Sequence, residues 1–447
     1  MPIQLKDVNG NLVAMTNAQK TQFLNDIGAM PAAAQVLPLD ARLVTEGDSL
    51  TDYENTGGQN WQFYFQLFTG ARLYRPQGSN QALGGQKISG LLGDATYISD
   101  ETQIAAVRAQ KPAVVTLIAG TNDIAGGVTD VAGIINAFKT AISGYLASDG
   151  TFGGASYVVV GKIPPRNPIT DTTWTAAKER IRLHVNAQIA LLPTWNNKVI
   201  IAETDSDNAA GSWDLTSANT TYQADGIHQS WLGFRIIARA VANAMSGILP
   251  QARPTHSYLD ATNLCTNPML YGTAGSMTGN AGAGVPVPVG QVADSWSVAN
   301  NMNGVSVSCT KDTLDGAVAQ RIVFSGTLNT AGGQCFFTQT VAYSGAAGEG
   351  YECMFDVEIA SGMSNIRNIF ALCDTATSPV SASTTPFVGD QPLRGTIRTK
   401  VTAPLTGVDT SSLVRLGITA QTAGQSVALD IKISKPYFRK ITQQTPL

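Results

Sequence analysis

The sequence predicts two units of different class: a three-layer α/β/α domain around a parallel sheet, followed by an all-β sandwich. Three observations carry this. Between residues 41 and 249 short apolar runs alternate with longer helical stretches, the rhythm that builds a parallel sheet with helices on both faces. From about residue 262 no long helical pattern appears, and short alternating runs are separated by Gly, Ala, Ser and Thr. A chain of 447 residues also exceeds one ordinary domain.

Taken in order, residues 1–40 read as a leader. Thr16 can cap a helix over 17–27, with Phe23, Leu24 and Ile27 on one side and Gly28 as its stop. Strands are expected at 41–46, 71–75, 113–119, 156–162 and 198–203. Several are almost wholly apolar, as strands covered on both faces must be. Helices are expected at 59–69, 97–110, 128–147, 173–191 and 231–247. Residues 250–261, with Pro250 and Pro254, read as a linker, and 262–447 as the sandwich, with strand runs at 321–324, 351–359, 412–418 and 427–433.

Composition excludes several classes. Charged residues make up 14% of the chain, the net charge is −3 and there are no Lys/Arg clusters, so a nucleic-acid partner is not expected. No run approaches the 18 or so apolar residues of a membrane span. The first residues lack a basic segment followed by an apolar core, so no signal peptide is expected, and release by lysis is one remaining route out of a cell. Five cysteines, all between Cys265 and Cys373, lack CxxC pairs or disulfide-scaffold density and fit small buried apolar positions.

Four clusters carry the candidate chemistry. Residues 43–52 read LVTEGDSLTD, where a strand stops at Gly47 and Ser49 follows two residues later. A strand ending in a sharp turn raises the next side chain at the carboxyl edge of the sheet, so Ser49 is a candidate nucleophile, although Gly-Asp-Ser is also ordinary turn composition. Gly120-Thr121-Asn122-Asp123 follows the strand at 113–119, and the Asn122 amide can serve a developing oxyanion or merely cap a helix. In Asp225-Gly226-Ile227-His228 a carboxylate precedes an imidazole by three residues and can fix its tautomer. His184 and His256, the other two histidines, read as structural. Asn80 to Lys87 contains Gly84-Gly85, which lets a backbone N–H approach a ligand closely; no phosphate-loop motif is present. Pro164 to Pro168 should border the same cleft, and Phe152, Trp174 and Trp213 lie in or beside its loops.

In order and placement these four clusters resemble the blocks of the SGNH hydrolases, the GDSL esterase/lipase family, over about 210 residues. The resemblance implies a flavodoxin-like three-layer fold and a serine esterase that needs no metal or organic cofactor. It implies Ser49 as nucleophile, His228 as general base then acid, and Asp225 as the carboxylate that orients the imidazole. The oxyanion would be held by the N–H groups of Ser49 and Gly85 with the Asn122 side chain; Gly84 and Gly90 remain alternatives to Gly85. The substrate expected is an acetylated polysaccharide or a small ester.

The second half, with Asn263 to Pro268, Trp296 and Asp430 to Phe438, resembles carbohydrate-binding-like jelly-roll modules of phage tail proteins and polysaccharide enzymes. Its alternative is a packing or oligomerisation domain, and Trp296 fits either a core position or a sugar platform. Residues 16–24 are similar to helical segments near the start of phage tail proteins, which fits a virion location and a homo-oligomer. Three functions follow: a carbohydrate O-acetyl esterase, a broad short-chain carboxylesterase or lipase, and a glycan-binding adhesin without turnover.

Overall fold

In the computed structural model of the chain, residues 35–53, 60–75, 78–150, 152–205, 222–223, 225–250, 259, 261–375, 393–399 and 405–441 are described. The expected leader helix at 17–27, His256, Trp213 and most of the linker lie outside them.

Strands β1 (Leu43–Gly47), β2 (Val114–Ile118), β3 (Tyr157–Gly161) and β4 (Val199–Ala202) form a parallel sheet in that order. Their alternation sends two sets of side chains to two cores. Leu43, Val114, Val159 and Ala202 face one side, where helices α2 (Trp61–Thr69) and α8 (Trp231–Met245) supply Trp61, Phe65, Phe234 and Ile237. Val44, Val115, Val158 and Val199 face the other side. There α3 (Glu101–Ala109), α5 (Val131–Leu146) and α6 (Ala176–Ile189) supply Val107, Phe138 and Val185. This is the three-layer arrangement that the unbroken apolar strands require. Polar caps start the helices where the sequence provides them: Asn60, Asp100, Asp130, Thr175 and Ser230 each accept a first-turn N–H. Three short helices, α1 (Ser49–Asp52), α4 (Thr121–Ala125) and α7 (Leu192–Trp195), were too short to leave a periodic signal.

One expected strand is corrected. Residues 71–75 make only isolated bridges beside β1, Arg42 to Tyr74 and, further on, Thr45 to Asn80. The segment follows β1 with bonds such as Leu43 N–H to Tyr74 O at 2.8 Å and Thr45 N–H to Ser79 O at 2.8 Å. Proline has no N–H to give a ladder, so the sequence after residue 75 does not favour extending a strand there.

The second half is a sandwich of a five-stranded and a six-stranded sheet. The first holds β5 (Ala274–Thr278), β7 (Val292–Asn300), β10 (Gln334–Gly345), β12 (Ile366–Thr375) and β14 (Asp409–Ala420). The second holds β6 (Val289–Gly290), β8 (Val305–Leu314), β9 (Ala317–Thr327), β11 (Gly350–Ile359), β13 (Leu393–Arg398) and β15 (Ser426–Ile441). Pairing is antiparallel except β5 with β7 and β6 with β8, which are parallel. After β5 the chain crosses to give two residues to the other sheet and then re-enters beside β5 in the same direction. Trp296 is a core residue: it is buried, its ring stacks on Phe337 at 4.5 Å and its Nε1 donates to Asn267 O. The five cysteines are buried free thiols, as their spacing suggested. Asn263 ties the start of this half to β15, donating from Nδ2 to Pro436 O and accepting from Phe438 N–H.

The halves share an interior. One apolar cluster runs from Leu43 and Trp61 through Met245 to Trp296, Phe355 and Ile397. Strand β13 packs on α2 so closely that a Cβ at Gly395 would lie 2.1 Å from Leu67 O. Beside it Arg398, 1% exposed, directs Nη1 at Asp40 Oδ1, Ala71 O and Leu73 O, each within 3.0 Å. Its Nε and Nη2 grip the buried Glu352 carboxylate at 2.8 and 2.9 Å, and Arg439 bridges Glu352 and Asp40.

Candidate active site

The site grows from the carboxyl ends of β1, β2 and β3, where a parallel sheet leaves its loops. Gly47 is demanded by contact: a Cβ there would lie 2.3 Å from Ile118 O, so only glycine lets the end of β1 press against β2. Asp48 then caps α1, accepting Leu50 N–H at 3.0 Å, and Ser49 opens the helix, half-buried at the edge of the sheet.

The second component is the turn at 225–228. Asp225 Oδ1 accepts the N–H groups of Ile227 and His228 at 3.0 and 2.7 Å, and Gly226 sits at φ +85° against the 165–170 loop. Asp225 Oδ2 lies 2.7 Å from His228 Nδ1, and His228 Nε2 lies 2.9 Å from Ser49 Oγ. A carboxylate only accepts, so Nδ1 carries the proton and Nε2 presents a lone pair to the serine hydroxyl. Burial pushes the Asp225 carboxyl up, but bonds from the His228 ring and from the His228 and Ile227 N–H groups outweigh it and hold it below the usual range. The Tyr53 ring packs 4.8 Å from the imidazole.

The third component gathers hydrogen-bond donors. Gly84 N–H is committed to Asp52 Oδ2 at 3.0 Å, and Gly90 packs against the Tyr97 ring, where a Cβ would lie 2.6 Å away. Gly85, at φ +76° in open space, is the remaining glycine, and no acceptor for its N–H or that of Ser49 is found among the described residues. Asn122 sits in the first turn of α4 after Gly120, whose φ of +103° turns the chain out of β2. Its Nδ2 donates to Gln86 O at 3.1 Å. Asp123 holds the glycine segment from below, accepting Ile88 N–H, Ser89 N–H and the Ser89 hydroxyl at 2.9, 3.1 and 2.5 Å. Burial raises the Asp123 carboxyl, with those three donors acting against it.

The structure thus brings Ser49, Asp225, His228, Gly85 and Asn122 to one edge. His184 is exposed on α6, away from them, and Phe152 belongs to a turn with Asp149. Trp174 is buried beneath the Arg166 guanidinium, 5.0 Å from its ring centroid. Arg166 is the residue that sequence reasoning passed over. It donates to Thr121 Oγ1 at 2.9 Å, Asp171 Oδ2 at 3.2 Å and Asn122 Oδ1 at 3.2 Å. Its one sequence signal was an arginine inside Pro164 to Pro168. Among the described residues no group of three His, Cys, Asp or Glu side chains could hold a metal ion, and no helix is long and apolar enough to cross a membrane.

Comparison with known proteins adds the following. The family model described as GDSL-like Lipase/Acylhydrolase matches residues 43–241. Among solved structures, a carbohydrate esterase family 3 protein from Talaromyces cellulolyticus aligns at 20% identity and a TM-score of 0.33, covering 46% of this chain and 96% of the other. An acetyl xylan esterase from Geobacillus stearothermophilus aligns at 18% identity and 0.33, covering 48% and 99%. A carbohydrate-binding module in complex with β-1,4-galactotriose aligns at 14% identity and 0.24, covering 40% and 99%. No curated protein matches the chain.

Proposed function

We propose that the chain, whose residues 43–241 match the GDSL-like lipase/acylhydrolase family model, is a serine esterase acting through Ser49, His228 and Asp225. The observation that carries this is the relay of 2.9 Å from Ser49 Oγ to His228 Nε2 and 2.7 Å from Nδ1 to Asp225 Oδ2. Ser49 Oγ attacks the ester carbonyl while Nε2 takes its proton. The carbonyl oxygen gathers negative charge and is met by the N–H groups of Ser49 and Gly85 and by Asn122 Nδ2, donors in place before the charge appears. His228 returns the proton to the departing alcohol, and water repeats the sequence on the acyl-serine. Asp225, ionised because its bonds favour the charged form, stabilises the imidazolium between these steps.

The finer reading is that the ester is an O-acetyl group on a polysaccharide. It is supported by the firmly attached β-sandwich and by the low charge of the chain, which suits neutral glycans. The test is hydrolysis of p-nitrophenyl acetate and octanoate, with acetate release from acetylated polysaccharides, by the wild type and Ser49→Ala. Acetate turnover that falls at least about 10³-fold in Ser49→Ala is expected. Undiminished activity in Ser49→Ala would remove the nucleophile, and octanoate strongly preferred with no acetate released from glycans would remove the acetyl reading.

A further inference from the structure

We propose that Arg166 is a positioning residue: it fixes the Asn122 carboxamide in the orientation that leaves an N–H for the oxyanion and ties that donor to the Asp225–His228 turn. The inference rests on the reading of Asn122 as an oxyanion donor.

A carboxamide has two ends of nearly equal size, so packing alone does not decide which faces the substrate. Here chemistry decides. A guanidinium donates and never accepts, and Arg166, 5% exposed, presents Nη2 to Asn122 at 3.2 Å. That atom must therefore be Oδ1. The Nδ2 end then reaches Gln86 O at 3.1 Å with one hydrogen and keeps its second for a reacting oxygen. A flipped amide would set NH2 against guanidinium and oxygen against the Gln86 carbonyl, losing two bonds in a half-buried place.

Arg166 is itself held on its other sides. Nε donates to Thr121 Oγ1 at 2.9 Å, Nη1 to Asp171 Oδ2 at 3.2 Å, and the plane lies over Trp174. Asp171 is buried with it, so the charge is compensated locally and the fork geometry, rather than net positive charge, is what Asn122 receives. The same loop reaches the other catalytic component. Asn167 N–H donates to Gly226 O at 2.8 Å, and Gln223 Nε2 donates to Pro165 O at 2.8 Å. A Cβ on Gly226 would lie 2.0 Å from Thr170 Oγ1, so turn and loop are in direct contact. Residues 165–170 therefore brace Asn122 on one side and the histidine turn on the other.

The test is a double-mutant cycle on kcat and KM for p-nitrophenyl acetate, with Arg166→Met, Arg166→Lys and Asn122→Ala alone and combined. Loss of a single oxyanion donor costs about 10²–10³ in kcat, so Asn122→Ala should fall in that range and Arg166→Met by about 10- to 100-fold, with KM within about threefold. In the Asn122→Ala background Arg166→Met should cost less than about threefold, because there is no carboxamide left to orient. Arg166→Lys should resemble Arg166→Met, since one ammonium cannot reproduce the fork. Equal losses in both backgrounds, or full activity in Arg166→Lys, would overturn the proposal while leaving the oxyanion reading intact. Full kcat in Asn122→Ala would remove that reading and the proposal with it. If Arg166→Met does not fold by circular dichroism, Thr121→Val serves in its place, removing only the Nε acceptor. It should lower kcat by about three- to tenfold with Asn122 present and leave it unchanged in Asn122→Ala; any other pattern counts against the proposal.

Discussion

Asp48, one residue before the proposed nucleophile, has no surface in water, and its Oδ2 meets no hydrogen-bond partner among the described residues. Burial raises its carboxyl to about 7, against the Leu50 N–H bond and the charge of Arg166 and with help from Asp123. In the unfolded chain it ionises in the ordinary carboxylate range. The folded state thus binds the extra proton between pH 4 and 7, so the stability present in acid is lost as pH rises toward 7. An asparagine imitates the neutral acid. Asp48→Asn should lose less stability than the wild type between pH 5 and pH 8, the difference being on the order of a few kcal/mol in denaturant melts. Any slope left in the variant includes Glu46, whose carboxyl burial raises to about 8. At this scale the sequence was legible where the candidate site is laid out in short local blocks, which the fold brings into contact: Ser49 with His228, the Asp225 and His228 pair three residues apart, and Asn122 with the glycine segment at Gln86. It was illegible where a role depends on who stands opposite. Nothing within five residues of Arg166 says that its guanidinium meets Thr121 and Asn122, more than forty positions away.

Among elements, β13 makes the most consequential contact. Its Gly395 lets strand and helix α2 touch, and its last residue, Arg398, enters a space lined by the Glu352 carboxylate and the carbonyls of Ala71 and Leu73. Taking two such charges out of water is costly, and removing one leaves the other stranded. Arg398→Met should therefore destabilise the protein by about 3–5 kcal/mol, read as a shift in denaturant midpoint, with the low end favoured because Arg439 still reaches Glu352. Adding Glu352→Gln to Arg398→Met should recover part of the loss. A double variant as unstable as the sum of the two singles would show that the pair is not coupled. Periodicity revealed the helices and buried strands because it is local. It misjudged residues 71–75, whose composition suits a strand but whose continuation past Pro76 does not.

For the whole molecule, composition anticipated an α/β part followed by a β-sandwich, and both are present, yet it carried no sign of how the two meet. The pairing of Asp40 with Arg398 and Arg439 spans nearly the full chain, and cross-chain pairing of that kind leaves no local pattern. With a continuous apolar cluster beneath those ion pairs, the two halves should unfold together. Thermal melts followed by far-ultraviolet circular dichroism and by tryptophan fluorescence are expected to coincide in one transition. Two separated transitions would show that the shared interior couples them weakly.

The joint at Arg398 also bears on how the molecule meets a long ligand. A binding module on a flexible tether raises local concentration while leaving its enzyme to sample a cloud of positions. Here the sandwich is clamped to the helix beside the catalytic sheet, so its outer faces keep a constant offset from Ser49. If the substrate is the proposed polysaccharide, a polymer resting on the sandwich would be gauged rather than merely retained, since only substituents at one spacing along it would come into register with Ser49.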